Sequence, residues 1–162
     1  MRNNKIICQE TEDLFHKIFN ELLMKTELVK TSEHSHHGET NVLEHSLNVA
    51  IMCLYIASAF KLNIDNASLI RGALLHDYFL YDWHEKSQDH KYHGFTHPRN
   101  AVKNASTKIS LSKTEKDMIL HHMFPLTILP PQSKEAWILC CADKICAIYE
   151  IFGSKSRLSY EY

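Results

Sequence analysis

Histidine is the residue best placed to do chemistry in this chain: there are 12, against five cysteines. Imidazole titrates close to neutral pH and is the commonest metal ligand, so the excess points to proton chemistry or to a metal site of nitrogen and oxygen donors. Position matters more than number. His45 comes three residues after Val42, four before Val49 and seven before Met52, which sets an imidazole in the inward stripe of a helix. His76 and Asp77 lie within a turn of Ala73 and Leu74, and His121 and His122 lie within a turn of Met118. Asp143 comes four after Leu139 and three before Cys146. A polar or charged group on an inward face is costly unless it is hydrogen-bonded, paired or coordinated. Taken singly, each of these reads either as a satisfied core residue or as a metal ligand.

The elements that present them are expected to be helices. The chain has 162 residues, is 44% hydrophobic, and carries only 4 Gly and 4 Pro, enough apolar surface for one core and hence one domain over 1–162. Glu10 to Lys30 repeats Leu14, Phe15, Ile18, Leu22 and Val29 at helical spacing. Thr40 or Asn41 can cap a second helix ending around Phe60 to Asn63, and Asp65 a third running to about Asp77. Tyr78 to Phe95 lacks a period and reads as a functional loop. Pro98 suits a first helical turn, so a fourth helix is expected from near His97 to about Thr107. Ser112 opens another to about Met123, and Ser133 to Phe152 forms the last. Period-two alternation and hairpin signals are lacking, so the fold class is all-α.

Lys and Arg number 18 against 19 Asp and Glu, a net charge of −1, which leaves no basic excess to hold a nucleic-acid polymer. The odd set of Cys8, Cys53, Cys140, Cys141 and Cys146 suggests buried free thiols rather than a disulfide framework. The longest apolar stretch, about 12 residues near Val49 to Phe60, falls short of the roughly 20 needed for a membrane span. A cytoplasmic protein without a membrane partner is expected.

Taken in order, His45, His76-Asp77, His97, His121-His122 and Asp143 resemble the HD-domain metalloprotein superfamily. The local sequences that carry the likeness are V-L-E-H-S-L-N-V-A, G-A-L-L-H-D, H-P-R-N-A, the His121-His122 pair and C-A-D-K, over about residues 41–150. The resemblance implies an HD-domain-like helical bundle with a central metal site. It also implies two metals: His45, His76 and Asp143 on one, His97, His121 and His122 on the other, and Asp77 bridging. Five imidazoles and two carboxylates are too many for one ion, yet fill most of two octahedra. Two divalent ions carry +4, which the two aspartates reduce to +2, and that remaining charge attracts phosphate. A hydroxide bridging the ions would be a competent nucleophile, because metal binding lowers a water's pKa from 15.7 to about 7.

The expected function is therefore phosphoester hydrolysis, with Asp77 as the catalytic carboxylate, a small phosphoester such as a nucleotide as substrate, and iron or manganese preferred over zinc or nickel. Candidates for substrate contact are Lys144 beside Asp143, Arg99 beside His97, and His93 and His37 in flanking loops. Asp82 and His84, with His34 and His36, are weaker members of the same loops. Tyr78, Phe79, Tyr81 and Trp83 could stack on a base or pack against the first helix. Two departures bear on substrate. Y-F-L-Y follows His76-Asp77 where relatives often carry Ile-Gly-Lys, so their phosphate-directed lysine is missing. M-F-P-L-T follows His122, without the Glu and Gly-Tyr-Pro of the cyclic-di-GMP phosphodiesterase branch. Two other functions share the ligand set: a mixed-valent di-iron oxygenase, and a metal-stabilised binding module without turnover.

Overall fold

The computed structural model describes residues 6–33, 40–80 and 93–152. The elements are α1 (Gln9–Lys25), a 3-10 helix (Leu28–Glu33), α2 (Val42–Ala59), α3 (Asn66–Leu75), α4 (His93–Lys108), α5 (Lys113–His121) and α6 (Lys134–Phe152). Among the described residues there is no strand, and the all-α expectation holds.

The expected caps are in use. The Asn41 side chain accepts from Glu44 N at 2.9 Å while Glu44 reaches back to Asn41 N at 3.4 Å, and Ser112 and Glu115 form the same reciprocal box. Asp65 accepts from Ala67 N and from the Ser68 hydroxyl. Its own N–H donates to Glu135 at 2.9 Å, tying the start of α3 to the first turn of α6.

α1 is shorter than its apolar repeat suggests. At Thr26 the backbone turns extended, and the hydroxyl donates to Leu22 O at 2.7 Å, a local bond that competes with the helix. The register breaks there. Leu28 becomes buried at 1% exposure while Val29, expected on the inner face, is 56% exposed. α4 begins at His93 rather than near His97, so Pro98 sits inside the helix. The added turn packs closely against the connection after α5: a Cβ on Gly94 would come 3.0 Å from Leu126 Cδ2. α2 ends in a Schellman motif, with Leu62 N bonded to Ala57 O and Lys61 N to Ser58 O. Lys61 occupies the left-handed position of that motif at φ 50°.

α3 is the hub. It packs against α1, α2, α5 and α6, and its buried Ser68, Leu69, Ile70, Gly72, Ala73, Leu74 and Leu75 leave little of it for solvent. α5 approaches it closely at Gly72, where a Cβ would lie 2.5 Å from Met118 Sδ. Arg71 is its polar exception, bonding Glu115 through Nε at 2.6 Å and the Ser110 carbonyl at 3.2 Å. α2 is apolar enough, over 18 residues, to cross a membrane by length and composition, more than the sequence reading allowed. Yet it lies between α3 and α6 and buries Val42, His45, Val49, Ala50 and Cys53 completely. The Tyr78 and Phe79 rings are also fully buried. Tyr78 Oη accepts from Glu27 N at 2.8 Å and its carbonyl from Asn104, so its ring is part of the packing rather than a platform for a base.

Candidate metal centre

Six of the seven expected ligands converge, delivered by α2, α4, α6 and the C-terminal ends of α3 and α5. His45, His76, Asp77, His97, His122 and Asp143 are all at 9% exposure or less. Two helices use the same local device. His76 and His122 are the C-cap residues of α3 and α5, where the last carbonyls have no partner within the helix. Each imidazole donates Nδ1–H to a carbonyl three residues back, His76 to Ala73 O at 2.7 Å and His122 to Ile119 O at 2.8 Å. Those bonds fix the tautomer and leave Nε2 as a bare lone pair aimed away from the helix. His45 is set in the same sense from the side of α6, with Nδ1 2.9 Å from Glu150 Oε2.

The Nε2 atoms and carboxylates face one another. His45 Nε2 is 3.1 Å and His76 Nε2 3.7 Å from Asp143 Oδ1. His76 Nε2 is also 3.5 Å from Asp77 Oδ2, and is buried without a hydrogen-bond partner. On the other side, Asp77 Oδ1 lies 3.2 Å from His97 Nε2 and 3.6 Å from His122 Nε2, while those two nitrogens are 2.9 Å apart. Two facing imidazole nitrogens at that distance call for a proton or a cation between them. Ligand atoms about 2.1 Å from a metal stand about 3.0 Å apart in an octahedron and about 3.4 Å in a tetrahedron, the spacing seen here. His45, His76 and Asp143 form one group able to hold an ion, and His76, Asp77 and His122 a second.

The electrostatics fit a cation site. Burial, followed by the neighbouring His76 and His97, lowers His122 to about 3. Burial opposes the charge on Asp143, but its bonds to His45 and His76 outweigh that and hold its carboxyl well below the usual range. Burial likewise disfavours protonated His76, and Asp77 and Asp143 reverse the effect and raise it. His76 and Asp143 thus favour one another's charged forms, while His122 is kept neutral.

The remaining candidates fall elsewhere. His121 is outside both ion-holding groups: its Nδ1 is 2.7 Å from Asp117, whose other oxygen accepts from Ser133 N and Oγ. Lys144 is 4.0 Å from Asp143 Oδ2, but its ammonium donates to His122 O at 2.8 Å and to the carbonyl and Sγ of Cys140 at 3.3 Å. Those are all three of its protons, so Lys144 clamps the end of α5 to α6. Arg99 is exposed, about 200° around α4 from buried His97. His93 is described only as the first backbone position of α4, and His34, His36, His37, Tyr81, Asp82, Trp83 and His84 lie outside the described residues. Glu150 was missed by the sequence reading. Its signal was there, seven residues and two turns after Asp143 on the same face of α6.

A family model described as HD domain matches residues 42–148, from the first residue of α2 to near the end of α6. No curated protein and no solved structure matches the chain. HD domains bind divalent metals, and the six converging side chains lie on the segments that this family shares. The chain belongs to the HD-domain superfamily of metal-dependent phosphohydrolases.

Proposed function

We propose that this protein hydrolyses a small phosphoester, nucleotides included, at a centre of two divalent ions held by His45, His76, Asp77, His97, His122 and Asp143. The observation that carries this reading is the convergence of six buried donors from five helices, with the His76 and His122 tautomers set in advance by backbone carbonyls. Bound there, the ions would supply Lewis acidity, lowering the pKa of a water and neutralising charge on phosphoryl oxygens.

The chain's own part is positioning. Asp77 turns Oδ1 toward His97 and His122 and Oδ2 toward His76, the geometry a shared carboxylate needs. Lys144 holds the His122 carbonyl on α6, so the ends of α5 and α6 move as one. Leu80 stands where related chains place a phosphate-directed lysine, and the residual positive charge of the loaded centre is then the main attraction for an anionic substrate. A donor set of nitrogen and oxygen without thiolate accepts iron, manganese, nickel or zinc, and it is the resemblance to HD-domain proteins that favours iron or manganese. All five cysteines are free, which supports a reducing compartment such as the cytoplasm.

The test is phosphate release by the metal-replete protein across a panel of mono- and diesters, with Asp77→Ala as control. Turnover lost in the variant supports the reading. A protein with both ions bound and no turnover on the panel contradicts it.

A further inference from the structure

α4 meets the turn that carries Asp77 at two points on one stripe. His97 and Asn104 are seven residues apart on α4, two helical turns, so both side chains leave the same face about 10 Å from each other. At the first point His97 Nε2 lies 3.2 Å from Asp77 Oδ1. At the second the Asn104 amide Nδ2 donates to the Tyr78 carbonyl at 3.1 Å. Ala101 and Ala105, between and beside them, are fully buried, which turns the stripe inward. The turn itself is closely bonded: Tyr78 N donates to Leu75 O at 3.1 Å and Phe79 N to Asp77 O at 2.7 Å. Phe79, fully buried, sets its ring against the His97 imidazole at 67°, with centroids 5.8 Å apart.

His97 is only four residues from the first residue of α4, in the part of a helix whose N–H groups lack partners within it and whose end frays. Its place therefore depends on what holds the helix farther along. One contact fixes a distance. A second, two turns on, also fixes the rotation and tilt of α4 against residues 77–79, and an error of rotation there swings the imidazole away from Asp77. We propose that Asn104 is a positioning residue for the metal centre: by tying α4 to the Tyr78 carbonyl it keeps His97 Nε2 facing Asp77 Oδ1, so that the pair is set for an ion before one binds. The proposal rests on the reading of His97 and Asp77 as metal ligands.

The experiment is a titration of the metal-free protein with Co2+, which suits nitrogen and oxygen donors and reports its coordination in the visible spectrum. Wild type should take up two ions. Asn104→Ala removes the tie but keeps the helix, alanine being the best helix former, and should weaken the uptake of one ion about 10-fold and shift its visible band. His97→Ala tests the route: since Asn104 acts through His97, adding Asn104→Ala to His97→Ala should move neither the binding curve nor the spectrum further. Tyr78→Phe tests for general loosening. It keeps the carbonyl that Asn104 bonds but deprives Glu27 N of its acceptor, so it should lower the urea midpoint and leave Co2+ uptake at the wild-type level. Wild-type uptake and spectrum in Asn104→Ala, a further loss in the double variant, or equal weakening in Tyr78→Phe would overturn the proposal, while two ions in wild type leave the function reading standing. A wild-type protein that takes up no Co2+ overturns both.

Discussion

Acid should destabilise the metal-free protein through His122 in particular. Its folded value of about 3 lies far below the ordinary 6.5, because burial and then His76 and His97 disfavour its charge. A group that takes up a proton more readily unfolded than folded contributes stability above its unfolded pKa and loses it as pH falls toward the folded one. Between those two values each pH step of one costs about 1.4 kcal/mol, so the loss from about pH 6 to pH 4.5 is about 2 kcal/mol for this buried side chain. Of the centre's groups with a shifted value, His122 alone loses stability across this window. His76, whose value is raised, gives its full contribution below 6.5 and loses it only as pH rises; Asp143, well below 3.8, loses its contribution only at lower pH still. Urea unfolding of chelator-treated protein at the two pH values, with His122→Asn beside it, measures the difference. Asparagine can still donate to the Ile119 carbonyl but does not titrate. Wild type and variant losing equal stability across the window would refute the reasoning.

Other predictions concern packing, caps and ligand number. Arg71→Met leaves the Glu115 carboxylate, only 5% exposed, without its counter-charge and with Ser112 N as its remaining donor, and should cost about 3 kcal/mol in denaturant unfolding; a loss below about 1 kcal/mol would mean that the pair contributes little. Lys61→Gly relieves a left-handed backbone at φ 50° and should raise stability by about 1 kcal/mol in the same assay, with no gain arguing against the Schellman geometry. His121→Ala should keep the wild-type metal content, since His121 is bonded to Asp117 outside both ion-holding groups; loss of an ion would return it to the ligand set.

Much of this was legible because metal ligands on helices obey helical spacing. His45 and Asp143 sit in the apolar stripes of α2 and α6, and the three caps at Asn41, Asp65 and Ser112 fall where short polar residues precede apolar repeats. What sequence spacing could not resolve was direction. His121 and His122 are neighbours, but about 100° apart on a helix, so only one can face the centre, and Asp117 four residues back claims the other. Lys144 looked like a substrate contact because it follows Asp143, whereas its partner carbonyls lie on two different helices. Val29 belonged to the apolar repeat of α1 until the Thr26 hydroxyl, bonding Leu22, ended the helix before it. Glu150 supports His45 across 105 residues of sequence; its place two turns after Asp143 marks the face of α6 it shares but not its partner.

The central claim is that six buried side chains make one two-ion centre with Asp77 shared between the halves. The direct measurement is metal content per chain after anaerobic purification without chelator, for wild type and Asp77→Ala. The account predicts about two iron or manganese ions per wild-type chain, falling in the variant because each subsite loses a charged oxygen. Little or no metal in the wild type, even after reconstitution, would contradict it and make the inward histidines structural.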